Sequence, residues 1–339
     1  MPEHDDSTRR PPAHQQPHFD LPSRLGLTEP VVNAPMAGAA GGRLAAAVSA
    51  AGGLGMVGIG SSVSPEWIAE QSRLARAPGR AWGAGLMAWV LEASLEPLRH
   101  LLEEHPDLVC VSFGDPGPAA RLIRDAGALC AMQVGNAADL ERALQPDIDV
   151  VVCRGGEGGG HGRNDVATLP LLQLAVAATG KPVIAAGGIS GPTGVAAALA
   201  AGAQAAWIGT RFAASHESLS HAHAKQAIAD AGLDDTVFTR AFDIAQRLPW
   251  PADFGGRALR NEFTGQWAAE EDRLSAAVAR DDSIKERVDA ARRAGDVATA
   301  PVYAGQSAAG TASHESAADI VADLAGFRRL LRAAVDRWN

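Results

Sequence analysis

The sequence predicts a (β/α)8 TIM barrel of the α/β class, carrying a smaller, mainly helical insertion that forms a lid. Eight short apolar runs recur along the chain, with starts about 21 to 32 residues apart, the length of one strand plus one crossover helix. Each run is followed by a turn and a helix-like segment. Eight buried parallel strands alternating with helices favour a closed barrel over an open sheet. The competing architecture, a doubly wound sheet, wants a GxGxxG turn after its first strand and an acidic residue about 20 residues on. Here the first strand runs instead into Pro35-Met36-Ala37-Gly38.

The predicted strands are VVNAPM (31–36), GLGMVGIG (53–60), WGAGLMA (82–88), LVCVSFG (108–114), LCAMQVG (129–135), VVVCRG (150–155), PVIAAGG (182–188) and AAWIGT (205–210). Helix patterns lie between them at 43–51, 65–77, 94–105, 118–126, 137–144, 169–179 and 193–201, several of them followed by the glycine that a helix C-terminus prefers. The segment 215–298 differs in character. It carries much of the charge, places Trp250, Phe254 and Phe263 near loops, and contains an amphipathic stretch at 268–294. It reads as a lid or substrate domain over the barrel mouth. The chain then returns through Val302-Tyr303-Ala304-Gly305-Gln306 to a helix at 317–338, so the barrel comprises 19–214 plus 299–339.

Residues 1–18 are polar and proline-rich, without an apolar core segment, and read as a disordered tail rather than a signal peptide. No run approaches 18 uninterrupted apolar residues, so no membrane span is expected. Cys110, Cys130 and Cys153 all fall in predicted strands and share no metal-ligand spacing, which implies reduced thiols and a cytoplasmic chain. A net charge of -9, with no basic block interleaved with aromatics, argues against nucleic acid as a partner. A monomer or homodimer is expected.

The most informative stretch runs from Pro182 to Phe212. It reads as a strand ending in Gly187 and Gly188, an alanine-rich helix, and a second strand ending in Gly209-Thr210. Glycines at two neighbouring strand ends let backbone N–H groups approach a ligand, and the loops after the last two barrel strands are the usual phosphate site. The plainer reading is that these glycines make tight turns. The loop after the sixth strand, Arg154-Gly155-Gly156-Glu157-Gly158-Gly159-Gly160-His161-Gly162, is read as a flexible run that exposes backbone N–H groups and sets His161 over a flat ligand. Imidazole titrates near neutrality and suits proton abstraction from a weakly acidic carbon; the alternative is an ordinary loop histidine. Of the remaining histidines, His4, His14 and His18 lie in the tail, His100 and His105 sit on or at the end of a helix, and His216, His221, His223 and His314 lack the i, i+4 spacing of a helical metal pair, so no metal site is expected.

Asn33-Ala34-Pro35-Met36-Ala37-Gly38 with the following 45–55 segment, Gly155-x-Glu157-x-Gly159-Gly160-His161, Ala186-Gly187-Gly188-Ile189 and Gly209-Thr210 together resemble nitronate monooxygenase, formerly 2-nitropropane dioxygenase. The resemblance covers roughly residues 21–335. It implies an FMN-containing barrel with a lid that oxidises nitroalkanes or alkyl nitronates with dioxygen to carbonyl compounds and nitrite, with His161 as catalytic base. It also implies that Ala34, Pro35 and Met36 lie against the isoalloxazine ring, that Gln133 reaches its polar edge, and that Gly159, Gly187 and Gly188 give backbone contacts. Trp207, Ile208, Gly209 and Thr210 would close on the phosphate. The family usually has asparagine where this chain has Gly85 and often glutamine where it has Arg154. Both positions belong to the expected cofactor site, and Arg154 reads either as positive charge near flavin N1 or an anionic substrate, or as a surface ion pair. The competing functions are an FMN-dependent NAD(P)H:quinone or enoyl-ACP reductase on the same scaffold, a flavin-free phosphate-binding barrel with a loop cysteine, and a non-catalytic ligand carrier.

Overall fold

The computed structural model describes residues 19–312 and 315–338. The expected tail, 1–18, lies outside the described residues. Eight strands form the barrel: β1 (Val31–Asn33), β2 (Gly55–Gly58), β3 (Trp82–Met87), β4 (Leu108–Ser112), β5 (Leu129–Val134), β6 (Val150–Arg154), β8 (Val183–Ala186) and β9 (Ala205–Ile208). They run parallel in the order β1-β9-β8-β6-β5-β4-β3-β2. A further strand, β7 (Gly160–Gly162), leaves the loop after β6 and pairs antiparallel with β11 (Gly255–Leu259), which pairs in turn with β10 (Thr236–Thr239).

Both faces of each barrel strand are covered, which is why the strands read as near-continuous apolar runs. Val32, Met56, Cys110, Val152, Ile184 and Trp207 fill the lumen as one buried cluster. Their alternate neighbours, among them Val31, Val57, Val109, Val151 and Ile208, belong to the layer packed under the helices. The short helix Leu21–Arg24 seals the end at which the strands begin. Its Leu21 is fully buried, and the Leu21 N–H donates to Gln204 Oε1 at 2.7 Å, just before β9.

The ring closes between β1 and β2, where the pairing is thin. Val32 and Leu54 form an isolated parallel bridge. Asn33 completes the seam: its Nδ2 donates to Met56 O and its Oδ1 accepts from Met56 N, both at 2.8 Å. A side-chain amide thus stands in for a peptide group that β1 is too short to supply.

The inserted segment contains helices Ala241–Gln246, Glu262–Trp267, Glu271–Val278 and Ser283–Ala294 around its own core of Phe242, Phe263, Leu274, Val278 and Val288, while its first helix, Ala222–Asp230, packs through Ile228 against Ala213, Val302 and Ala308. Strands β10 and β11, which the sequence reading did not separate from the helices, form its sheet with β7. The amphipathic stretch at 268–294 forms two helices, Glu271–Val278 and Ser283–Ala294, parted near Asp281 and Asp282. The C-terminal helix expected at 317–338 likewise divides, into Ala317–Leu324 and Phe327–Trp338, at Gly326. A Cβ on Gly326 would stand 3.0 Å from Asp323 O and 3.4 Å from Pro192 Cβ, so the chain turns close against the preceding helix and its neighbour.

Replacing Asn33 with Ala leaves a buried donor and a buried acceptor of Met56 without partners. Stability should fall by about 2–4 kcal/mol, read from the denaturant midpoint at constant m-value. A loss below about 0.5 kcal/mol would mean that water or backbone movement closes the seam equally well.

Candidate active site

The strands end at a mouth built by the loops after them. Ala34, Pro35 and Met36 are half-buried there, with the Ala34 N–H donating to Ile208 O at 2.8 Å. Gly85 lies directly behind Pro35: a Cβ at this position would come within 2.7 Å of Pro35 Cβ. The missing side chain therefore makes room for the first-strand loop. Gln133 occupies the lumen-facing register of β5 beyond Ala131, and its side-chain amide has no partner among the described residues.

Beyond β8, Gly187 and Gly188 adopt φ +102° and +69°, a backbone region that side chains rarely enter. A Cβ on Gly188 would meet only the Glu157 side chain, with Cβ at 3.3 Å and Cγ at 3.7 Å, and one on Gly209 would meet Ala34 Cβ and Met36 Sδ at 3.6 Å. Two glycine strand ends with little around them form a cradle that a side chain would partly fill. Thr210 is buried, and its Oγ1 accepts from Gly305 N at 2.9 Å. Trp207 and Ile208 differ from expectation in one respect. The Trp207 indole fills the lumen and Ile208 packs under the helices, so only their main chains can face a ligand at the mouth.

The glycine loop is not the flexible run that its composition suggests. Arg154, buried at the end of β6, donates through Nη2 to the carbonyls of Gly158, Gly159 and Gly160 at 2.6, 3.2 and 3.0 Å, and through Nη1 to Arg163 O at 3.0 Å. Its expected roles, a charge offered to a ligand or a surface ion pair, give way to this one, because the guanidinium is buried beneath the loop and spent on backbone. A Cβ on Gly158 would lie 2.8 Å from Arg154 Nε, and one on Gly162 would strike the same guanidinium. Burial pushes Arg154 down to about 10, with the Arg257 guanidinium adding to the fall and Glu157 opposing it. Gly159 packs on the backbone of Ala304 and Gly305. Glu157 accepts from the N–H and hydroxyl of Thr168 at 3.0 and 2.9 Å, at the start of helix Thr168–Ala178.

His161 sits in β7, opposite Gly256 of β11. Its Nε2 lies 2.8 Å from Asp243 Oδ1, with the two side chains only 10% and 3% exposed. The Trp250 ring stacks on the imidazole at 3.7 Å between centroids and 2° between planes, and Tyr303 approaches at 5.2 Å. Trp250 meets Trp89 and Phe113 edge-on at 5.3 and 4.9 Å, and Phe113 meets Phe254 at 5.7 Å. Phe113 holds φ +66°, an outlier for a bulky residue at the end of β4. Burial and the nearby Asp243 carboxylate push the Tyr303 phenol well above its ordinary range. Sequence reasoning missed Asp243. Its signal was faint: one acid inside the apolar run Ala241-Phe242-Asp243-Ile244-Ala245.

Burial pushes Cys110 and Cys153 up to about 12, which keeps both thiols protonated within their strands. Among the described residues no group of three or more His, Cys, Asp or Glu could hold a metal, and no helix is long and apolar enough to cross a membrane.

A nitronate monooxygenase family model matches residues 89–326. The chain belongs to the nitronate monooxygenase family. A nitronate monooxygenase of Paraburkholderia phytofirmans is 31% identical over 288 residues, covering 71% of this chain and 76% of that protein. An octahydroindene carboxyl-CoA dehydrogenase of Mycobacterium tuberculosis is 32% identical over 226 residues; the match spans 66% of this chain and only 63% of that relative's length. Among solved structures, FabK from Thermotoga maritima superposes with TM-score 0.79 at 28% identity, over 93% of this chain and 97% of that one. A nitroalkane oxidase from Streptomyces ansochromogenes does so with TM-score 0.75 at 29% identity, over 91% and 98%.

Exchanging Arg154 for Met keeps much of the volume and removes every donor to the four carbonyls. Stability should fall by about 2–4 kcal/mol, and amide exchange should quicken selectively across 158–162, read by hydrogen–deuterium exchange. Uniform protection of the loop in the folded variant would show that Arg154 does not hold it.

Proposed function

We propose that this chain is an FMN-dependent nitronate monooxygenase that oxidises nitroalkanes or alkyl nitronates with dioxygen to carbonyl compounds and nitrite, with His161 as the base. The observation that carries the reading is His161 itself. It is held between Asp243 and Trp250, at the same end of the barrel as the glycine ends of β8 and β9. Family membership supports the reaction class, and the named nitronate monooxygenase and nitroalkane oxidase relatives agree with it.

The residues present fit a flavin nucleotide. Gly187, Gly188 and Gly209, with Thr210, would receive its phosphate. Ala34, Pro35 and Met36 would back the ring, and the free Gln133 amide would meet its polar edge. Gly85 and Arg154 would act from behind these contacts rather than within them. FMN, when bound, supplies the oxidation and the reaction with dioxygen.

The chain's own part is the proton. The α-carbon of a nitroalkane is acidic because the nitro oxygens take up the electron pair left behind. His161 removes that proton, and the aromatic wall of Trp89, Phe113, Trp250 and Phe254 keeps water from the carbanion. Residues 19–214 plus 299–339 would then hold the cofactor, with 215–298 as the lid.

In His161→Asn, turnover of a neutral nitroalkane should fall roughly 10²–10⁴-fold, the usual worth of a positioned general base, while a pre-ionised nitronate should lose far less. Equal losses on both substrates with flavin retained would reassign His161 to positioning alone. A bulky side chain at Gly188 would enter the phosphate cradle from an unfavourable backbone region. Folded Gly188→Leu should therefore purify without its visible flavin band, whereas a full complement of FMN would place the cofactor elsewhere.

The likeness to FabK and to a carboxyl-CoA dehydrogenase favours a second reading, an NAD(P)H-dependent reductase of quinones or enoyl-ACP. Rapid anaerobic bleaching of the flavin by NADH or NADPH would support it; bleaching by nitronate alone supports the oxygenase.

A further inference from the structure

We infer that Asp243 is a positioning residue for proton abstraction. It accepts the Nε2–H of His161, fixes the ring as that tautomer, and leaves Nδ1 as the nitrogen that takes the substrate proton. This deepens the proposed function and rests on it.

The geometry carries the assignment. A carboxylate can only accept, so a 2.8 Å contact from Asp243 Oδ1 to Nε2 puts the proton of the neutral imidazole on Nε2. The second ring nitrogen must then be the basic one. Nδ1 has no partner among the described residues and is not sealed from solvent. The ring cannot readily turn to offer Nε2 instead, because the indole of Trp250 lies flat on one face and Tyr303 stands at 5.2 Å.

The surroundings suit this role better than that of a plain lid contact. Asp243 lies on helix Ala241–Gln246 among the apolar residues Ala241, Phe242 and Ala245, and His161 is its hydrogen-bond partner. The other ionisable groups near the pair are the Tyr303 phenol, which stays protonated, and Arg292, whose charge reaches Tyr303 from helix Ser283–Ala294. Proton transfer breaks the Cα–H bond of the nitroalkane, sends its electron pair onto the nitro group and forms the Nδ1–H bond. The imidazolium so produced keeps its Nε2–H on Asp243. A fixed carboxylate in a water-poor site stabilises that new charge without reorganisation, and the Trp250 face adds a cation–π contact.

Two measurements on the holoenzyme test the inference. In protein carrying 15N-labelled histidine, with the His161 signals assigned by their loss in His161→Asn, the neutral ring should show a protonated Nε2 and a bare Nδ1. A protonated Nδ1 with bare Nε2 overturns the inference, and this measurement needs no variant of Asp243. In Asp243→Asn, the amide can donate to Nε2 and reverse the tautomer. Turnover of neutral nitroalkane should then fall about 10²-fold or more, with KM, flavin content and nitronate turnover within about threefold of wild type, and Asp243→Glu should recover part of the loss. If Asp243→Asn keeps full nitroalkane turnover while His161→Asn loses it, the base reading stands and the positioning role falls. If both variants keep it, the base reading falls as well. Equal loss on nitroalkane and nitronate in Asp243→Asn also overturns the inference, since it marks Asp243 as support for the lid alone.

Discussion

One buried guanidinium ties the inserted segment to the barrel. Arg154 ends β6 and has no carboxylate partner among the described residues, so its charge is answered by four backbone carbonyls of the loop that follows. A buried cation is costly unless its donors are satisfied, and carbonyl dipoles turned inward satisfy this one. The cost falls on sequence: a Cβ at position 158 or 162 would displace the guanidinium from where it holds the loop. From β11 Arg257 repeats the device, with Nε donating to Gly156 O at 2.9 Å and Nη2 to Asn164 Oδ1 at 2.8 Å. The loop is clamped between two cations, and its outgoing strand is thereby delivered to β11 in one register.

The functional division follows from that clamp. The barrel contributes the glycine strand ends and the first-strand loop, while His161, though encoded directly after β6, packs with the inserted segment. Its sheet partner β11, its hydrogen-bond partner Asp243 and its stacking partner Trp250 all come from the inserted segment. Under the proposed function, the position of the base and the position of the lid are therefore one variable. Trp89, in the helix Ala88–Ala93 that follows β3, and Phe113, in the loop after β4, meet Trp250 edge-on and join the two halves. The backbone strain at Phe113 is sustained by that contact.

The barrel was legible in the sequence because its signal is local. Every strand is buried on both faces, so each appears as an apolar run of fixed spacing, and all eight observed barrel strands fall within the predicted runs. The glycine pair at 187 and 188 was legible for the same reason, since a left-handed backbone selects glycine whatever surrounds it. What could not be read was long-range. The Asp243–His161 contact joins residues 82 apart, and nothing in either neighbourhood names the other. Arg154 was misjudged because composition cannot distinguish a loop that is loose from one that is wrapped around a side chain. Both are rich in glycine; only the packed neighbours differ. Strands β10 and β11 were hidden in a segment whose dominant pattern is helical, and β7, three residues of glycine and histidine, has no strand pattern at all.

The two departures from the resembled family now have a common physical meaning. Gly85 removes a side chain from behind Pro35, and Arg154 places one beneath the glycine loop. Neither offers a new functional group to the mouth; each reshapes the support of a segment that does face it. Under the proposed function, recognition of the substrate then falls to side chains that the lid and the segments after β3 and β4 bring together: Trp89, Phe113, Trp250 and Phe254, with Arg163 over the Phe254 ring at 4.7 Å. Such a wall is mostly apolar and held by edge-on ring contacts. It discriminates by shape and by exclusion of water, and leaves directional chemistry to the histidine alone.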